Sequence, residues 1–173
     1  MTGPRSVRHP TRDDAQDVGE THASAWEEGY SALFDPGVLE ELVGVRRTMW
    51  VRVFADPEFD LESMLVVESD GQVVGYSHFG VSDEDETQGE VFGFYAHPRV
   101  WGTGVSSELI VATLAELSVR SLRPVIVWTH AGADRARAFY EKSGFALTGR
   151  RRISTVNPGA IDVPEVEYSW SDN

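Results

Sequence analysis

Residues Glu90–Leu117 read EVFGFYAHPRVWGTGVSSELIVATLAEL. An apolar run ends at His97-Pro98, a turn carries Gly102-Thr103-Gly104, and a helical pattern follows at once. A strand that passes through a glycine turn into a helix N-terminus aims several backbone N–H groups at one spot, and the helix dipole adds positive potential there. Such a spot suits a phosphate or pyrophosphate. A glycine turn can equally do no more than let strand and helix pack closely, so the surrounding chain has to decide.

Spacing removes two kinds of phosphate site. A dinucleotide fingerprint needs a third glycine where Ser107 stands, and the hairpins upstream do not match a Rossmann half. A P-loop needs a closing Gly-Lys-Ser/Thr, which is absent. What remains is a coenzyme pyrophosphate held mainly by backbone N–H groups. Gly75-Tyr76-Ser77-His78-Phe79 nearly spells a nucleophile elbow, but its closing glycine, Gly80, comes one position late and the segment reads as mid-strand. The five histidines show no metal-ligand spacing, so no metal is expected. His97 and His130, at strand ends, read as polar loop residues.

Upstream of the quoted stretch, Ser6–His9 reads as a short edge strand stopped by Pro10. Thr11 is a helix N-cap with Asp14 three residues on, and Ala15, Val18, His22, Ala25 and Trp26 share one face of a helix over about Arg12–Glu28. Asp35-Pro36 starts a second helix, and a further helical piece carries Val45, Met49, Trp50, Val53 and Phe54 inward until Pro57. The period then changes. Met64–Glu68 and Val73–Phe79 are strands joined by Ser69-Asp70-Gly71, a hairpin signal. An acidic polar loop, Val81–Gly89, leads to a third strand at Glu90–Ala96.

Downstream, a helix over about Gly104–Val119 precedes a buried-type strand at Pro124–Thr129. A helix at Asp134–Ser143 ends with Gly144 as its C′ residue. Strands at Phe145–Arg151 and Val163–Trp170 flank an Asn157-Pro158-Gly159 loop. The order is β-α-α-β-β-β-α-β-α-β-β, with an antiparallel meander in the middle and a parallel crossover after Gly104. A mixed α/β sheet with helices on both faces, in one domain of 173 residues, is the simplest packing.

A net charge of −13 argues against binding nucleic acid or anionic membranes through basic patches. It is compatible with attracting a cationic amine, and acidity of this size also simply keeps a protein soluble. With no cysteine there is no disulfide, no thiolate zinc site and no cysteine nucleophile. No signal peptide and no bilayer-spanning run is visible, which leads to an expected cytoplasmic location.

The glycine turn, the strand after its helix, and Phe139-Tyr140-Glu141-Lys142-Ser143-Gly144-Phe145 occur in an order that resembles the GCN5-related N-acetyltransferases, which acylate primary amines from acetyl-CoA. That family's pyrophosphate loop, [QR]-x-x-G-x-[GA], falls on Trp101-Gly102-Thr103-Gly104-Val105-Ser106. Trp101 and Ser106 depart from it. A second family pattern, N-x-R-A-x-x-F-Y-E-x-x-G-F, matches Arg135, Ala136, Phe139, Tyr140, Glu141, Gly144 and Phe145, with Ala133 in place of its Asn. His22-Ala23-Ser24-Ala25-Trp26 through Tyr30 is similar to the first helical region of a family subgroup.

The resemblance implies a mostly antiparallel sheet of about seven strands, splayed between the fourth and fifth. It implies acetyl-CoA as cosubstrate. Phe94, Tyr95 and Ala96 would lie along the thioester and pantetheine arm. Trp101, Gly102, Thr103, Gly104, Val105 and Ser106 would hold the pyrophosphate, with Arg135 and Phe139 also on the cofactor side. Tyr140 would protonate the departing thiolate. Glu90 matches the catalytic glutamate of histone-type members, and Glu27, Glu28 and His78 are lesser candidates for the base. Trp26, Tyr30, Phe34 and His78 would line the site of the acceptor, a small-molecule, peptide or protein amine. Homodimerisation through the C-terminal strands is a family property. The alternative implied is a non-catalytic acyl-CoA-binding or interaction module on the same fold.

Overall fold

The structure is a computed structural model that describes residues 4–157 and 159–172. The elements are β1 (Arg5–Arg8), α1 (Ala15–Gly29), α2 (Pro36–Ala55), β2 (Met64–Ser69), β3 (Gln72–Val81), β4 (Gly89–Ala96), α3 (Val105–Val119), β5 (Val125–His130), α4 (Asp134–Lys142), β6 (Ala146–Val156) and β7 (Ile161–Trp170). Their order is the one the sequence pattern gives. The strands form one sheet in the order β1-β2-β3-β4-β5-β7-β6. The observed pairings are antiparallel except for β4 with β5. The described chain divides into two compact units, one running to His78 and including Gly93–Thr113, the other Phe79–Phe92 with the chain from Leu114 on.

In the first unit, α1 begins where expected. Thr11 N–H donates to Asp14 Oδ2 at 2.7 Å, and a single 3-10 turn at Arg12–Asp14 precedes the α-helix. Arg8 on β1 grips Asp14 at 2.8 and 3.0 Å and Glu68 of β2 at 2.8 Å, tying the helix start to two strands. α1 is fixed to β3 by Asp17, which accepts from Val73 N–H at 3.1 Å, and by Thr21 Oγ1, which donates to the Val73 carbonyl at 3.1 Å. The α1–α2 contact needs a glycine: a Cβ at Gly19 would sit 2.3 Å from the Arg47 carbonyl oxygen. The core beneath contains Val18, Trp50, Phe54, Met64, Val66 and Tyr76.

One expectation here is corrected. The second and third helical pieces are one helix of 20 residues, because Gly44 is accommodated inside α2 without a break. Val45 is consequently 40% exposed, not inward-facing. The hairpin expectation holds: Asp70 and Gly71 both have positive φ, 53° and 77°, as a type I′ turn requires.

In the second unit, the parallel pairing of β4 with β5 consists of Gly89↔Val125, Glu90↔Ile126 and Val91↔Val127 and ends there. β5 pairs with β7 from Val125↔Trp170 to His130↔Glu165. β6 runs to Val156, well beyond the expected Arg151. Its residues lie on the sheet's open edge and are nearly all exposed, so no apolar alternation marks its extent. A register shift between Leu147 and Arg151 coincides with Gly149 at φ +88°. Pro158, within the expected loop, lies outside the described residues. α4 stops as expected at Gly144, φ +91°, with Phe145 N–H donating to the Tyr140 carbonyl at 3.0 Å.

Candidate active site

The glycine turn is held by its own chain. His97 Nδ1 accepts from Arg99 N–H at 3.2 Å, and Val100 N–H closes on the His97 carbonyl at 3.0 Å. Thr103 Oγ1 donates to the Val100 carbonyl at 2.6 Å. Gly102 and Gly104 adopt φ of +76° and +91°, and a Cβ at either would meet nothing within 4 Å. They are glycines because of backbone conformation, and the surface around them is open. The close strand–helix contact lies elsewhere: a Cβ on Gly75 of β3 would come 3.3 Å from Val105 Cγ1. Glu108 N–H makes the first intrahelical bond, to the Gly104 carbonyl at 3.0 Å, so the N–H groups of Val105, Ser106 and Ser107 have no intrahelical acceptor. An anion held by backbone donors fits this geometry.

Two residues shape the turn in ways the sequence did not disclose. The Trp101 indole N–H donates to the Ala96 carbonyl at 2.8 Å, fastening the turn to the last residue of β4. Arg5, on β1, donates to the Thr103 carbonyl at 3.0 Å and pairs with Glu108 of α3 at 2.7 Å. Arg5 is 98 residues from Thr103, and no local signal connects them.

The expected acceptor residues separate into two places. Trp26 has its ring 4.5 Å from Tyr30 and 5.8 Å from Phe34. His78 packs instead against Trp50 and Phe59, at 6.2 and 5.7 Å. His22 connects the groups: it accepts from Trp50 Nε1–H at 3.0 Å and its ring lies 4.5 Å from Tyr95 on β4. Burial and the neighbouring Arg46 guanidinium hold the His22 imidazolium well below the usual histidine range, so the ring is neutral. Arg46 lies 3.5 Å above the Trp26 ring. Neither His22 nor Arg46 falls in a sequence motif that marks a site residue. An arginine on the helix face that carries Leu42, Trp50 and Phe54 was the available signal.

In the second unit, Glu90 is 8% exposed and accepts from Ser82 Oγ–H at 3.0 Å. Burial raises its carboxyl above the usual range, opposed by Ser82 and by the charge of Arg152. The acidic loop is folded back onto this strand, and its Glu84 pairs with Arg150 at 2.6 Å. Tyr140 is 5% exposed, among Phe139, Phe145 and Tyr168. Its neighbour in the motif, Glu141, accepts from Tyr168 O–H at 2.8 Å, and Arg137 donates to the same phenol oxygen at 3.1 Å. Arg135 is exposed on the first turn of α4, and Ala133 supplies no side-chain cap there. Glu27 and Glu28 are exposed at the end of α1. His130 Nδ1 accepts from Gly132 N–H at 2.8 Å, a turn-capping role like that of His97. No cluster that could hold a metal is present among the described residues. No helix among them is long and apolar enough to cross a membrane.

The family model for the acetyltransferase (GNAT) family matches residues 22–145, more than half of the chain. The chain belongs to the GNAT acetyltransferase family. This GNAT protein is 25% identical over 158 residues to a protein of Mycobacterium tuberculosis named "Probable N-acetyltransferase", covering 90% of this chain and 87% of the other. It is 34% identical over 102 residues to a mycothiol acetyltransferase of Cellulomonas flavigena, covering 54% of this chain and 29% of that protein. Its fold matches the PaiA N-acetyltransferase of Thermoplasma acidophilum, solved in complex with coenzyme A, at a TM-score of 0.75. That match covers 96% of this chain and 99% of the other at 14% identity.

Proposed function

We propose that this GNAT protein is a single-domain N-acetyltransferase that moves an acetyl group from acetyl-CoA to a primary amine by direct attack. The observation that carries this is the turn at Trp101–Ser106. Two left-handed glycines open onto a helix N-terminus with unengaged N–H groups, in the register of the family's pyrophosphate loop. When bound, acetyl-CoA supplies an acyl group already activated as a thioester. Backbone N–H groups of Gly102, Gly104, Val105 and Ser106 hold the pyrophosphate, and the Phe94–Ala96 backbone holds the thioester carbonyl and pantetheine.

An alkylamine must lose a proton to attack. Glu90, whose carboxyl is raised by burial, is the proposed base. The amine nitrogen then bonds to the carbonyl carbon, the C–S bond breaks, and Tyr140 gives the departing sulfur a proton and is itself reprotonated by the second proton that the acylated nitrogen sheds. With no cysteine in the chain, no acetyl-cysteine intermediate intervenes. The proposed location is cytoplasmic.

The test is a thermal-shift series with acetyl-CoA, coenzyme A, NAD and buffer, followed by thiol release with an amine panel. Stabilisation by acetyl-CoA and amine-dependent thiol release are expected. The absence of cysteine removes protein thiols from the background. Stabilisation without release from any amine would replace catalysis by a binding role. No shift with either coenzyme would overturn both.

A further inference from the structure

Arg46 is charged, 9% exposed and without an acidic partner among the described residues. Its side chain rises from the middle of α2, holds its guanidinium carbon 3.5 Å over the Trp26 ring, and donates from Nη1 to the Leu42 carbonyl of its own helix at 3.0 Å. Nε is fully buried and donates to no acceptor among the described residues. The titratable groups that act on it most are the phenols of Tyr95, Tyr76 and Tyr30 and the neutral imidazole of His22. A second buried donor in the same stack, Trp26 Nε1–H, also has no acceptor among the described residues.

A buried cation is normally retained beside a counter-charge, because desolvation is costly and a facing aromatic ring offsets only part of it. Buried donors are normally bonded. Here, among the described residues, one stack holds an uncompensated cation and two unused N–H donors. With Nη1 on Leu42 and the guanidinium carbon over Trp26, the edge that carries Nε remains, and that planar edge matches a carboxylate. The stack adjoins Tyr30, Phe34 and, through His22, Tyr95, between the two β4 residues proposed to hold the thioester.

We infer that Arg46 and Trp26 form a carboxylate subsite in the acceptor pocket, and that the acceptor is an amino acid or a related amine bearing a carboxylate. The inference rests on the acetyltransferase reading. It reverses what the net charge of −13 suggests, since the local field of this stack is positive.

The test measures thiol release from acetyl-CoA with the L-amino acids, their amides and their decarboxylated amines, for wild type, Arg46→Gln and Arg46→Lys. At least one amino acid should exceed its amide in kcat/KM by about tenfold or more, the worth of a charge-assisted hydrogen bond. Arg46→Gln should raise KM for that acid by a similar factor. Its kcat, its KM for acetyl-CoA and its rate with the amide should be nearly unchanged, and Arg46→Lys should restore part of the loss. Equal use of acids, amides and amines by wild type would overturn the subsite, as would equal losses on all three in Arg46→Gln. If wild type releases no thiol with any amine, the acetyltransferase reading fails. Arg46 is then judged by thermal shift with millimolar amino acids against their amides in the presence of coenzyme A. Stabilisation by acids alone, lost in Arg46→Gln, upholds the subsite, and its absence overturns it.

Discussion

Trp50 donates its indole N–H to Nδ1 of His22 over 3.0 Å, with both side chains buried. An indole can only donate, so Nδ1 must be unprotonated and the ring proton sits on Nε2. Protonating His22 would end this bond and place a second cation beside Arg46. In the unfolded chain the imidazole titrates normally near pH 6.5, whereas the folded value is depressed. Stability from this group is therefore present above about pH 6.5 and is lost as pH falls toward the folded value. The loss grows as pH falls from 7 to 5, because the unfolded chain binds the proton that the folded ring resists. Urea titrations should show that loss in wild type and a smaller one in His22→Gln.

Gly19 should resist even the smallest side chain. The Arg47 carbonyl lies 2.3 Å from where a Cβ would stand, and backbone cannot rotate away. Gly19→Ala gains about 1 kcal/mol of helix propensity, but forcing α1 and α2 apart should outweigh it. A net loss of about 1–2 kcal/mol, a Tm lower by roughly 3–8 °C, is expected from calorimetry.

Tyr140→Phe should keep the fold, since the ring remains among Phe139, Phe145 and Tyr168. If the phenol protonates the thiolate, kcat falls by about tenfold or more while KM for acetyl-CoA stays close to wild type. Unchanged turnover would remove Tyr140 from the mechanism.

Glu90→Gln tests the base through pH. A raised carboxyl costs stability as pH climbs through its folded value, so the variant should gain relative stability above the ordinary glutamate range, about pH 4.3. Its rate loss should shrink at high pH, where free amine is abundant. A loss independent of pH would assign Glu90 and its Ser82 partner to holding the strand and loop together.

Arg5→Ala removes the bonds from β1 to the Thr103 carbonyl and to Glu108. With the turn less firmly held and Glu108 unpaired near the helix start, KM for acetyl-CoA should rise by about threefold to tenfold with kcat little changed. Lowered kcat at constant KM would contradict a role confined to coenzyme binding.

The order of elements was legible because each change of period coincides with a strong punctuator: Asp35-Pro36, Asp70-Gly71, Gly102-Thr103-Gly104 and Gly144. The turn and the Tyr140 helix were legible as motifs because their residues are neighbours in sequence. What escaped was long-range or unpatterned. β6 is exposed and arginine-rich, so nothing periodic marks its end. The two helical pieces expected after Asp35-Pro36 are one helix, whose buried residues Leu39, Leu42, Val43, Trp50 and Phe54 lie on both sides of Gly44. Arg46 and His22 are polar residues at core positions, and only the fold shows that the cation there has no carboxylate partner among the described residues. Trp26, Tyr30 and Phe34 lie together, whereas His78 packs against Trp50 and Phe59, because its alternation in β3 says which face it occupies but not which helix covers that face.

Trp101 fills a position where the family pattern has a polar side chain, and its indole is spent on the Ala96 carbonyl instead. Together with Thr103 on Val100, it fixes the turn through the chain's own hydrogen bonds. The consequence is entropic. A loop that is already ordered loses little freedom when it closes on an anion, so tight association can be reached with fewer direct contacts. In this chain the tryptophan at that position brings the turn an internal hydrogen bond of its own.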